Sequence, residues 1–192
     1  MERKSFIRRF SRNENGSLSV EAVLALPMLV WAITATFVFW DAFKTLNVSQ
    51  KATYTVADML SRETQAIDGD YLTAMHELFD YLATTPGDNA IRVSVVRMTQ
   101  DPNTLVKTYQ LVWSQGVGGI AGYSTLNQQV IDRMPDMSAG DQLIFVESEQ
   151  EWSPAFAVGL ASYRFREVAI SRPRFAPQLV WHDPTTAMGG SV

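Results

Sequence analysis

Hydrophobic and polar positions divide this chain into three regimes. From Ala22 to Trp40 the pattern is continuous, 19 residues without a charge. From Asp41 onward it becomes periodic. Phe39, Phe43, Leu46, Ala52, Val56, Met59 and Leu60 recur at helical spacing, and Asp41, Lys44, Gln50, Lys51, Asp58 and Arg62 supply the polar positions. Both regimes suit one helix from about Leu18 to about Thr64, about 70 Å long at 1.5 Å per residue. Its first half is long enough to cross a bilayer core, and its second half is amphipathic and predicted to lie on a soluble domain. Pro27 removes one backbone hydrogen bond inside the first half, so a kink is predicted there.

The third regime is mixed. Asp68-Gly69-Asp70 reads as a turn with an N-cap, and Leu72, Met75, Phe79 and Leu82 then recur at helical spacing. Thr85-Pro86-Gly87-Asp88-Asn89 ends that helix. Ile91, Val93 and Val95 alternate with Arg92 and Ser94, Asp101-Pro102-Asn103 makes a turn, and Leu105 to Trp113 is the partner strand. Gly116 to Gly122 reads as a flexible glycine-rich loop, and Leu126 to Met134 as a short helix. Leu143 to Ser148 and Ser162 to Ser171 complete the strands. The predicted fold class is α+β: a long N-terminal transmembrane and amphipathic helix, then a small antiparallel β-sheet domain. The predicted organisation is a leader at 1–16, an apolar helix at 17–40, its amphipathic extension at 41–66, an exported domain at 67–182 and a flexible tail at 183–192.

Charge orients this arrangement. The first fifteen residues hold Arg3, Lys4, Arg8, Arg9 and Arg12 against Glu2 and Glu14, a net +3; the whole chain is −4, so the remainder is −7. A basic end and an acidic body on either side of one apolar segment place the leader in the cytoplasm and the body outside it. The apolar run is longer than a secretory signal core and ends in Phe37, Phe39 and Trp40, aromatics suited to a membrane interface. The segment therefore reads as a retained anchor. A nucleic-acid-binding tail is disfavoured, because no basic patch interleaved with aromatics continues into the body.

Little in the body suggests catalysis. The chain has no Cys and only two His, which leaves no disulfide or thiolate metal site. His76 lies beside Glu77 and four residues before Asp80, but a solvated helix face explains it. His182-Asp183 is near the tail. No His-Glu-x-x-His spacing or Gly-x-Ser-x-Gly elbow is present. The glycine-rich loop lacks the Lys-Ser/Thr ending of a phosphate loop. Asp68 and Asp70 lack the further ligands of a calcium loop. Glu147, Glu149 and Glu151 alternate near a strand end, where exposed strand positions are the simplest reading. Trp113, Trp152 and Trp181 read as packing residues. No catalytic residue, cofactor or metal site is predicted, and the chain is not predicted to be an enzyme.

One charge stands out. Glu21 is a lone carboxylate at the head of a membrane-length helix, where such groups are costly. It is five residues after Gly16, behind a basic leader. The leader, Gly16, Glu21 and the apolar run resemble a class III prepilin signal. The nearer resemblance is to the TadE- and TadF-type minor pilins (pseudopilins) of the Tad, or Flp, pilus system, in which a few apolar residues and then Pro follow the Glu, as Pro27 does here. Val112-Trp113-Ser114, Leu143 to Glu147 with Trp152 and Pro154, and Ser171-Arg172-Pro173-Arg174-Phe175 are similar to body elements of that family. An aromatic often follows the family's Glu directly, and here Ala22 stands there.

The resemblance implies cleavage by a prepilin peptidase between Gly16 and Ser17, on the cytoplasmic side. It also implies packing with other pilins through the N-terminal helix, contact with inner-membrane platform proteins and the lipid bilayer, and a structural role in assembling a pilus. The location implied is the inner membrane, single-pass, with the C-terminal domain periplasmic or extracellular, or in the fibre itself. Cleavage would free the Ser17 amine in an apolar setting. Glu21, four residues on, could pair with that amine or with a neighbouring subunit's, setting register. The helix dipole and nearby headgroups also explain a Glu at this position. The alternative function is a single-pass, signal-anchored extracytoplasmic binding or sensor protein with its leader retained.

Overall fold

The computed structural model describes residues 15–83 and 88–183, with side chains from residue 19 onward. The leader before Asn15, the side chains of Asn15, Ser17 and Leu18, most of the 85–89 turn and the tail beyond Asp183 lie outside the described residues. The elements run α1 (Asn15–Arg62), α2 (Gly69–Ala83), β1 (Ala90–Gln100), β2 (Lys107–Val117), α3 (Gln128–Ile131), β3 (Gln142–Trp152) and β4 (Tyr163–Ser171). A long apolar helix followed by a four-stranded antiparallel sheet is the α+β arrangement read from the pattern. Helix α1 runs unbroken through Pro27.

The chain forms two compact units: Met1–Ala42 with Pro154–Ala161, and Phe43–Ser153 with Ser162–Val192. In the second, the sheet order is β2-β1-β3-β4, every neighbouring pair antiparallel. Strand alternation sends Ile91, Val93, Val95, Ile144, Val146 and Ala169 to one face. There they join Ala52, Val56, Ala57 and Leu60 of α1 and Leu72, Met75, Phe79 and Ala83 of α2 in the main core. The amphipathic stripe of α1 is thus packed on the sheet domain. Asp68 caps α2, its Oδ1 accepting from the Tyr71 amide at 2.9 Å. The opposite face carries a smaller core of Met98, Met137 and Leu143.

The segment after β4 closes the main core. Leu179 is buried and its carbonyl accepts from Trp113 Nε1 at 3.0 Å. Trp181 stacks at a tilt on Trp113, with 5.4 Å between centroids, and forms a parallel bridge with Ile67. Within the Arg-Pro-Arg stretch, the Arg174 amide donates to the Ser61 carbonyl at 2.8 Å and its side chain reaches Asp58 at 3.4 Å. The stretch therefore holds the C-terminal end of α1.

Several boundaries differ from the pattern. Strand β3 runs to Trp152, four residues past the predicted end, because Ser148, Gln150 and Trp152 continue its buried face. Strand β2 starts at Lys107, since Leu105 takes a left-handed backbone in the hairpin turn (φ 57°). The predicted 126–134 helix is one turn, Gln128–Ile131, capped by Asn127. The glycine-rich stretch is not a loose loop. Gly116 and Val117 pair with Arg92 and Ile91 in the sheet. A Cβ on Gly116 would meet the Ile120 carbonyl oxygen at 2.1 Å, and one on Gly122 the Ser114 oxygen at 2.3 Å. These glycines let the chain fold back onto its own strand.

Candidate functional site

Two features can carry function, one in each compact unit. The first is the N-terminal half of α1. From Val20 to Trp40 most of its large apolar side chains are exposed, among them Leu24, Met28, Trp31, Ile33, Phe37 and Trp40, while Ala35 and Val38 are buried. Within α1, Ser19–Arg62 is long and apolar enough to cross a membrane by length and composition, and its most apolar stretch is only 11% buried. A core helix of a soluble domain would be covered; this one is bare. Thr34 and Thr36 hide their hydroxyls by donating to the carbonyls of Val30 and Ala32 at 2.8 Å, which removes two polar groups from the apolar surface.

Glu21 is exposed on this helix and forms no ion pair with another described residue. It stands one turn beyond Ser17, whose backbone is helical, as is that of Gly16. All four predicted site residues, Gly16, Ser17, Glu21 and Pro27, therefore lie on one helix. With no other described group beside it, the Glu21 carboxylate is free to meet a cation brought from outside.

The second feature is a cleft of about 180 Å³ on the sheet face opposite the helices. Its floor is built by register. Arg92 of β1 faces Glu147 of β3 directly; its Nε donates to Glu147 Oε2 at 2.7 Å, and a terminal nitrogen lies 2.6 Å from the same oxygen in an ion pair. Its guanidinium stacks 3.6 Å from the ring centroid of Tyr123 and also donates to the Tyr123 hydroxyl and the Ala121 carbonyl. Tyr123 in turn donates to Glu147 Oε1 at 3.1 Å. Burial, then the Glu147 charge, pushes the Tyr123 phenol up from its ordinary value. Beside this network, Glu149 accepts from Arg164 at 3.2 Å and forms an ion pair with Arg166 at 2.9 Å.

This corrects the reading of the alternating glutamates. Glu147 and Glu149 are only 13% and 15% exposed and are fully engaged with arginines. Their setting was not legible because the partners lie 55 and about 15 residues away along the chain. An acid–base role is poorly served, since both Glu147 oxygens already accept hydrogen bonds. The floor reads as a clamp that ties the 118–133 segment to the sheet.

His76 is a second correction. It is not on a solvated face: its side chain is 17% exposed, its Nε2 lies 2.8 Å from the Asn89 carbonyl and its Nδ1 3.6 Å from Asp80. Asn89 donates to Asp80 at 2.9 Å. The group joins the end of α2 to the start of β1. No cluster of three or more His, Asp or Glu suited to a metal occurs among the described residues.

No protein-family model, no curated protein and no solved structure matches the chain.

Proposed function

We propose that this chain is a structural minor pilin of the TadE or TadF type, anchored in the inner membrane and taking part in assembly of a Tad/Flp-type pilus. The observation that carries the reading is the bare apolar half of α1 with one carboxylate at its head. An exposed apolar surface of that length needs lipid or other apolar helices around it. Glu21 at its start, unpaired among the described residues, then supplies the charge by which a neighbouring subunit's amine could be recognised. The sheet domain with its engaged charges serves as the exported head. On this reading the N-terminus is cytoplasmic, the helix waits in the bilayer, and removal of the leader by a prepilin peptidase precedes packing with other pilins and with platform proteins.

The test is the mature N-terminus, read by mass spectrometry on membranes with and without the prepilin peptidase. The expected result is a chain starting at Ser17 only when the peptidase is present. A chain that keeps Met1 to Gly16 in both would overturn the pilin reading and leave a signal-anchored binding or sensor protein. Glu21→Ala is expected to be processed but to assemble poorly; normal piliation would remove the register role.

A further inference from the structure

The connection between β3 and β4 is an exposed loop of wholly apolar sequence. Pro154-Ala155-Phe156-Ala157-Val158-Gly159-Leu160-Ala161 contains no charged residue and no polar side chain. Soluble loops are usually polar, because they face water. Here Ala155, Phe156, Ala157, Gly159 and Ala161 are exposed, Phe156 by 54%. The loop is also held in shape. At its base the Ser153 and Ser162 hydroxyls lie 3.0 Å apart in a hydrogen bond. At its tip the Val158 amide donates to the Phe156 carbonyl at 3.0 Å.

This loop and the N-terminal stretch of the chain make up one compact unit. Within that unit's helix, Ala35 and Val38 are buried, three residues apart on one side, while Phe37, Phe39 and Trp40 remain open. The first charge after the apolar run is Asp41. Ala35 and Val38 therefore sit roughly 5–9 Å inside that charge along the helix axis, at 1.5 Å per residue. That is the depth at which interfacial apolar segments settle, about 5–10 Å into the boundary between headgroups and acyl chains.

We propose that Pro154–Ala161 is a second membrane contact, a loop that dips its apolar tip into the outer interface of the bilayer beside the anchor helix. Its occupant is the lipid surface. The wholly uncharged sequence, the exposed Phe156 and the shared unit with a membrane-length helix all favour lipid over water. A helix alone leaves its head free to swivel; a second point of insertion restricts the head's orientation to the membrane plane. The inference rests on the reading that α1 spans a membrane.

The chain lacks Cys, so single cysteines can be labelled with an environment-sensitive fluorophore in the full protein, reconstituted in phosphatidylcholine/phosphatidylglycerol vesicles. Four variants suffice: Phe156→Cys and Val158→Cys in the loop, Val30→Cys in the anchor, and Asn103→Cys at the exposed hairpin tip. Nitroxides attached near either end of the lipid acyl chain report depth. The expected result is that both loop labels lose most of their emission to the shallow nitroxide. The Val30 label should respond to the deep one and the Asn103 label to neither. A quenched Val30 label with loop labels that behave like Asn103 would overturn the loop proposal and leave the anchor intact. Loop labels shielded from aqueous iodide yet untouched by lipid nitroxides would assign the loop to a protein contact, which also overturns it. An unquenched Val30 label would instead remove the spanning helix, and the proposal with it.

Discussion

Arg92 and Glu147 stand opposite each other on adjacent strands and join through a hydrogen bond of 2.7 Å and an ion-pair contact of 2.6 Å, with side chains only 15% and 13% exposed. Removing one partner leaves the other nearly buried and uncompensated, which costs about 3–5 kcal/mol in comparable settings. Arg92→Met is therefore expected to destabilise the sheet domain by about 3 kcal/mol. The double change Arg92→Met with Glu147→Leu should recover much of that loss, because no lone charge remains. Thermal unfolding of the full chain in detergent, followed by near-ultraviolet dichroism, checks this. Equal loss in the single and double variants would show that the clamp on Tyr123, and not the ion pair, holds the face together.

Two adjacent glycines separate backbone conformation from space. Gly118 and Gly119 both have positive φ, 84° and 90°. A Cβ on Gly118 would meet the Asn89 carbonyl oxygen at 2.2 Å and His76 Nε2 at 2.6 Å, whereas one on Gly119 meets nothing within 4 Å. Gly119→Ala is expected to cost about 1–2 kcal/mol, the backbone term alone. Gly118→Ala should cost about 3 kcal/mol or more, since backbone must move as well. Melting temperatures of the two proteins order the effects; similar melting points would mean that Asn89 and His76 give way readily.

Gln150 is fully buried on β3, and neither atom of its amide bonds to another described residue. An unpaired buried polar group costs about 1–3 kcal/mol. Gln150→Met keeps the length of the side chain and removes the amide, so it is expected to raise stability by about 1–2 kcal/mol. A fall in melting temperature would show instead that the amide is hydrogen-bonded in solution.

The hairpin tip should loosen in acid. Asp101 Oδ1 accepts from the Asn103 amide at 2.7 Å and the Thr104 amide at 3.3 Å. These bonds hold its carboxyl below the ordinary value of 3.8. A depressed carboxyl contributes its stabilisation above the unfolded value and loses it as the pH falls through the folded one. The tip is therefore expected to be unchanged from neutral pH down to about pH 4 and to open below that. Carbon-detected titration of the Asp101 carboxyl should give a midpoint under 3.8, and Asp101→Asn should abolish the transition in the Asn103 and Thr104 amides. A midpoint at or above the ordinary value would remove the effect.

Local signals located most elements because they are one-dimensional. The uncharged run to Trp40 and the stripe through Val56 and Leu60 specify a long helix whatever surrounds it, and the helix found is Asn15–Arg62. Alternation at Ile91, Val93 and Val95 placed β1 for the same reason. Element ends were less legible. Gln150 and Ser148 look like surface residues by type, yet both are buried, so β3 appeared four residues too short.

By itself, the chain's order of apolar and polar residues determined a membrane-length helix, its amphipathic extension and a small antiparallel sheet, since each follows from the repeat along one segment. Gly16, Ser17, Glu21 and Pro27 were singled out by local sequence and by the resemblance to a prepilin signal, and the backbone carries all four on one helix. Only the tertiary structure decided which charges meet. Arg92 finds Glu147 across 55 residues, His76 turns inward to Asn89, and the wholly apolar loop at Pro154–Ala161 joins the unit of the N-terminal helix. Those pairings depend on sheet register and chain reversal, which bring together residues that no local repeat connects.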